Sequence, residues 1–105
     1  MGRRFAAGET VGMQHGDVVR RRIVVTGRVQ GVGYRASVER EATVAGLSGF
    51  ARNRADGSVI IELEGPAAAV GAVVAWCRTG PTWSEVTGLT VQEVEAVGAT
   101  SFEIG

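Results

Sequence analysis

Residues 27–35 read Gly-Arg-Val-Gln-Gly-Val-Gly-Tyr-Arg, and no other stretch limits the fold of this chain as tightly. The segment follows the β-branched run Ile23-Val24-Val25, which ends at Thr26-Gly27 and has the composition of a strand with a buried face. It leads into residues where Tyr34, Val38, Ala42 and Ala45 recur at helical spacing, with Gly46 as a stop signal. A strand must therefore pass into a helix through closely spaced glycines. Gly31 and Gly33 lack a Cβ, so their backbone can turn several N–H groups inward and let a tetrahedral anion approach the main chain. The positive end of the following helix adds to that field. Arg35, in the first helical turn, is able to pair with phosphate oxygens through both arms of its guanidinium. Taken alone, the segment fits equally well a plain strand-to-helix link with Arg35 solvated.

The remaining pattern supplies the rest of a small domain. Leu47 to Asn53 suit a second strand, and Asp56-Gly57 is a turn pair leading to a third strand, where Val59, Ile61 and Leu63 alternate with Ile60, Glu62 and Glu64. Gly65-Pro66 opens a second helix with Val70, Val73, Val74 and Cys77 as its apolar stripe, and Thr79-Gly80-Pro81 ends it. Trp76, beside that stripe, reads as packing. Val86, Leu89, Val91 and Val94 suit a fourth strand, and Ser101 to Ile104 a short terminal strand on a sheet edge, with Gly88 and Gly98 blurring both boundaries. The order is βαββαβ with a small extra C-terminal strand, which predicts an α+β, ferredoxin-like sandwich. Right-handed crossovers would place both helices on one face of an antiparallel-rich sheet, leaving the other face and the loops free for function. Residues 1–18 lack a sustained period and read as a flexible N-terminal extension, with the folded domain spanning 19–105.

Composition narrows the function. The chain has 105 residues, which favours one core and one site. Its 11 basic and 11 acidic residues cancel, so no broad positive field favours nucleic acid and any anion site must be local. Cys77 is the only cysteine and lies in an apolar stretch without metal-ligand neighbours, so it reads as a core thiol. His15, the only histidine, falls in the extension and is a poor candidate for catalysis or metal binding. The start Met1-Gly2-Arg3-Arg4-Phe5 is not followed by an apolar export run, and no membrane span is apparent, so a cytoplasmic protein is expected. The glycine segment matches neither the P-loop, with its Gly-Lys-Ser/Thr ending, nor the three-glycine dinucleotide fingerprint.

Asn53 stands at the end of the second strand, before Arg54-Ala55-Asp56-Gly57, where asparagine commonly serves as a simple turn residue. The combination is more telling: residues 27–35, then Ala42, Gly46-Leu47, Gly49, Arg52-Asn53, Asp56-Gly57, Gly65-Pro66 and Gly80-Pro81, in that order. Together these resemble the acylphosphatase family over about Val19 to Gly105. The resemblance implies a ferredoxin-like domain that hydrolyses small acyl phosphates to a carboxylate and inorganic phosphate, without metal, cofactor or covalent intermediate. It implies that Arg35 and the loop formed by Gln30, Gly31, Val32, Gly33 and Tyr34 bind the phosphate, and that Asn53 positions water. The chain departs from the family pattern at Phe50, where Trp is common, at Ala51, which replaces a bulkier β-branched residue, at Thr82, where a second proline is frequent, and at Tyr34, where Phe is usual.

Two other readings compete. A ferredoxin-like RNA-binding or protein-interaction module would use Arg20-Arg21-Arg22, but aromatic pairs for base stacking are not evident in the first or third strand, and the arginines read as a solvated edge. A non-catalytic phosphate-binding domain is the second, since such modules also open larger hydrogenase-maturation proteins; cysteine-rich zinc motifs of those proteins are not seen here, so a stand-alone monomeric enzyme acting on a small molecule is expected.

Overall fold

In the computed structural model, which describes residues 17–105, the elements run β1 (Val18–Arg28), α1 (Tyr34–Val44), β2 (Ser48–Asn53), β3 (Val59–Pro66), α2 (Ala67–Cys77), β4 (Glu85–Val94) and β5 (Phe102–Ile104). The sheet order is β4-β1-β3-β2-β5. All neighbours are antiparallel except β2 and β5, which pair in parallel from Gly49↔Phe102 to Ala51↔Ile104. This is the ferredoxin-like arrangement expected, with the terminal strand on an edge. His15 and all of the extension before Asp17 lie outside the described residues.

Alternation sets the two faces of the sheet. Ile23 and Val25 of β1 and Val59, Ile61 and Leu63 of β3 are fully buried, and they meet Val38 and Ala42 of α1 and Val70, Val73, Val74 and Cys77 of α2. The stripe read from the sequence of α2 is thus its core face. Burial pushes the Cys77 thiol up to about 12, as suits a core thiol rather than a nucleophile.

The opposite face differs from expectation. Arg20-Arg21-Arg22 do not form a solvated edge, because β1 is an interior strand flanked by β4 and β3. Register places Arg20 opposite Glu64 and Arg22 opposite Glu62. Arg20 is 6% exposed and donates to Glu62 at 2.6 Å and Glu64 at 2.8 Å, while Arg22 donates to Glu62 at 2.7 Å. The connector between β4 and β5 crosses this face, with the Val97 and Gly98 amides donating to Glu64 at 3.0 and 2.8 Å. Phe50 carries the Arg52 guanidinium 4.3 Å from its ring centroid. That face is filled by paired charge, so the loops remain as the place for function.

Two boundaries shift. Gly27 does not end β1: the strand continues to Arg28 through an irregularity between Thr26 and Gly27. A Cβ on Gly27, whose φ is +123°, would lie 2.0 Å from the Glu85 carbonyl oxygen, so only glycine fits this bulge. Pro66 lies just before α2 with an extended ψ of 137°, not inside its first turn.

Candidate active site

Four chain segments meet at one end of the sheet. Arg28 at the end of β1 pairs with Glu85 at the start of β4, and Asn53 at the end of β2 pairs with Val59 at the start of β3. The glycine loop, the turn 54–58, the link 78–84 and the end of β5 are therefore neighbours.

The glycine loop has the backbone its composition suggested. Gly31 and Gly33 take φ of 74° and 78°, left-handed values that glycine adopts freely. A Cβ on Gly31 would meet nothing within 4 Å, so the loop is open rather than packed. Gly33 caps α1 with no side-chain acceptor, and the first turn holds no acidic residue. The Ser37 amide bonds back to Gly33 at 3.0 Å; by helix geometry the amides of Tyr34, Arg35 and Ala36 have no intrahelical partner. Arg35 stands at this positive helix end, where a cation is disfavoured unless an anion offsets both.

Gly31, Gly33, Tyr34 and Arg35 line one cavity of about 150 Å³ with Val29, Ala36 and Ile104. The Arg35 guanidinium donates to the backbone oxygen of Gly105, whose own amide bonds Ala51 at 3.0 Å. Only one of its N–H groups is needed for that contact, which leaves the rest of the fork for an oxyanion. Asn53 is exposed and is not part of the cavity lining. Its strand is nevertheless held to the cavity on both sides of it: by Gly105 at Ala51, and by Gln30, whose side-chain amide donates to the carbonyls of Arg54 and Ser58 at 2.8 Å each.

The expected phosphate-binding residues thus divide by role. The Gln30 side chain braces the loop against the β2–β3 turn. Tyr34 has only its backbone free for such a role: its ring is buried and its hydroxyl donates to the Cys77 carbonyl at 2.7 Å, in the last turn of α2. Burial raises that hydroxyl well above the ordinary tyrosine range, so it stays protonated. The Val32 carbonyl accepts the indole N–H of Trp83. Sequence reasoning missed Trp83, Gly105 and the bracing role of Gln30. The only available signal was an exposed aromatic placed just after the Gly80-Pro81 helix stop.

Known proteins of one family are similar to this chain in sequence and in fold. The acylphosphatase family model matches residues 21–104. An acylphosphatase of Methylococcus capsulatus is 51% identical over 76 residues, covering 72% of this chain and 83% of that protein. One from Anaeromyxobacter dehalogenans is 49% identical over 89 residues, covering 84% and 96%. The crystal structure of acylphosphatase from Bacillus subtilis superposes with a TM-score of 0.80 at 41% identity, covering 83% of this chain and 98% of that one.

Proposed function

This chain belongs to the acylphosphatase family and is a hydrolase of acyl phosphates, and on that premise we propose that Arg35 with the amides of Gly31 to Ala36 grips the phosphoryl group while Asn53 aligns the attacking water. The observation that carries the proposal is the uncapped start of α1: unpartnered amides, left-handed glycines and the Arg35 fork border one cavity.

An acyl phosphate has a good carboxylate leaving group, so the main tasks are neutralising phosphoryl charge and placing the nucleophile in line. Loop amides and Arg35 perform the first, as fixed dipoles and a fixed cation that need no rearrangement when charge moves. Asn53 performs the second. Asparagine is not a base at neutral pH, so the water proton passes to a phosphoryl oxygen of the substrate. As water oxygen bonds phosphorus, the bond from phosphorus to the acyl oxygen breaks and the carboxylate departs with the electron pair. This route calls for no side-chain nucleophile, general base or metal. Hydrolysis of benzoyl phosphate in ¹⁸O-labelled water tests it: label in the inorganic phosphate supports attack at phosphorus, and label in benzoate contradicts it.

The non-catalytic reading is not favoured. The nucleic-acid reading loses its main feature, because Arg20 and Arg22 are paired with Glu62 and Glu64, and Arg21 lies 3.5 Å from Glu93. No helix among the described residues is long and apolar enough to cross a membrane. We further propose that the folded unit begins with β1 at Val18, one residue before the boundary expected from the sequence, with the residues ahead of it as an appended extension, and that it works as a cytoplasmic monomer on a small acyl phosphate.

A further inference from the structure

We infer that Trp83 is the surface against which the substrate's acyl group rests, so that the site favours aromatic over small acyl groups. The inference rests on the assignment of Arg35 and Asn53 made above.

Trp83 is 60% exposed, which is unusual for an indole with no core contact to explain it. It is nonetheless fixed. Its ring N–H donates to the Val32 carbonyl, and Nε1 would lie 3.9 Å from a Cβ on Gly33, placing the ring edge on the glycine loop itself. The link that carries it is tied to α2 by the Gly80 amide, which bonds the Trp76 carbonyl at 2.9 Å, and is closed into a turn around Trp83 by the Ser84 amide and hydroxyl, which both bond the Pro81 carbonyl, at 3.0 and 2.7 Å. A ring held by its polar edge leaves its π-face available.

Strand order then decides what that face meets. In the sequence β4-β1-β3-β2-β5, the glycine loop follows β1, Asn53 ends β2, and Trp83 precedes β4. Asn53 and Trp83 therefore lie on opposite sides of the cradle. Phosphoryl transfer keeps the attacking and leaving oxygens roughly in line through phosphorus. Water held on the Asn53 side directs the leaving carboxylate toward the β4 side, where Trp83 stands. A planar acyl group such as benzoyl can stack there; an acetyl group offers little to stack.

The test is the ratio of kcat/KM for benzoyl phosphate to that for acetyl phosphate, in the wild type, Trp83→Ala and Trp83→Phe. The phosphoryl group is common to both substrates, so any effect of losing the Val32 contact cancels in the ratio. We expect the ratio to fall about tenfold in Trp83→Ala and by less than about threefold in Trp83→Phe, which keeps a ring. An unchanged ratio, with or without an equal loss on both substrates, overturns the inference. Arg35→Gln and Asn53→Ala run alongside separate the two claims: full turnover in those variants contradicts the site assignment, whereas lost turnover there with an unmoved Trp83 ratio contradicts the inference alone.

Discussion

The Gln30 side-chain amide donates to the Arg54 carbonyl at 2.8 Å, joining the glycine loop to the residue immediately after Asn53. The same group also reaches the Ser58 carbonyl at 2.8 Å, so one side chain spans the mouth of the β2–β3 turn. The turn is further closed by Asp56, which accepts from the Ser58 amide at 2.9 Å and hydroxyl at 2.6 Å. The residues proposed to align water and to bind phosphate are thus mechanically joined. Gln30→Ala is expected to leave a folded protein with kcat lowered roughly 10- to 100-fold, the scale of a small misplacement of reacting groups. Steady-state kinetics beside circular dichroism checks this; unchanged kcat would show that the brace is irrelevant to catalysis.

The two glycines that shape the approach to the site are expected to respond differently to alanine. Gly27→Ala forces a Cβ onto the Glu85 carbonyl oxygen, and should prevent the β1–β4 pairing or destabilise the fold by about 3 kcal/mol or more. Gly31→Ala meets no neighbour, so it should cost only the left-handed strain of about 1–2 kcal/mol. Its methyl group would project into the open loop and weaken inhibition by inorganic phosphate. Urea denaturation and phosphate inhibition separate the two effects.

Tyr34→Phe removes the hydroxyl that satisfies the buried Cys77 carbonyl. The expected loss of stability is about 1–3 kcal/mol, read from the urea midpoint. A family pattern that prefers Phe at this position would have suggested a neutral change, so the sign of this result is informative.

The paired charges on the outer face make stability depend on acid. Burial works to raise Glu62, but hydrogen bonds from Arg20 and Arg22 outweigh it and hold the carboxylate below its ordinary 4.5. Glu64 is lowered first by the Val97 amide, against burial, and further by Arg20 and Gly98. Because folding lowers both values, their contribution is complete above about pH 4.5 and fades as pH falls through the folded-state values. The urea midpoint should therefore be flat from about pH 7 to 5 and drop below about pH 4. Arg20→Ala, which takes one partner from each of two buried carboxylates while Arg22 still holds Glu62 and the Val97 and Gly98 amides still hold Glu64, should cost about 1.5–3 kcal/mol at neutral pH.

Much of the fold was legible because periodicity reports burial directly. The alternation of Val59, Ile61 and Leu63 and the stripe Val70, Val73, Val74, Cys77 became the two sides of one core. The arginine run was misread because a strand's position within the sheet depends on partners far along the chain; Glu62 and Glu64, some forty residues away, decide that Arg20 is buried. The left-handed glycine loop and the placing of Arg35 in the first turn of α1 were readable from Gly31, Gly33 and Arg35, since backbone freedom and helical spacing are local properties. The brace from Gln30 and the placement of Trp83 were not, because each is a side-chain contact to a carbonyl on a distant segment. Asn53 was named through the family resemblance, and the structure adds the two ties that hold its strand beside the loop.

The central claim is that Arg35 and Asn53 carry the hydrolysis, and turnover of benzoyl phosphate with EDTA present tests it most directly. Wild type, Arg35→Gln and Asn53→Ala should all be folded by circular dichroism, with metal-independent turnover in the wild type alone. Turnover that survives in either variant, or that EDTA abolishes in the wild type, would contradict the account.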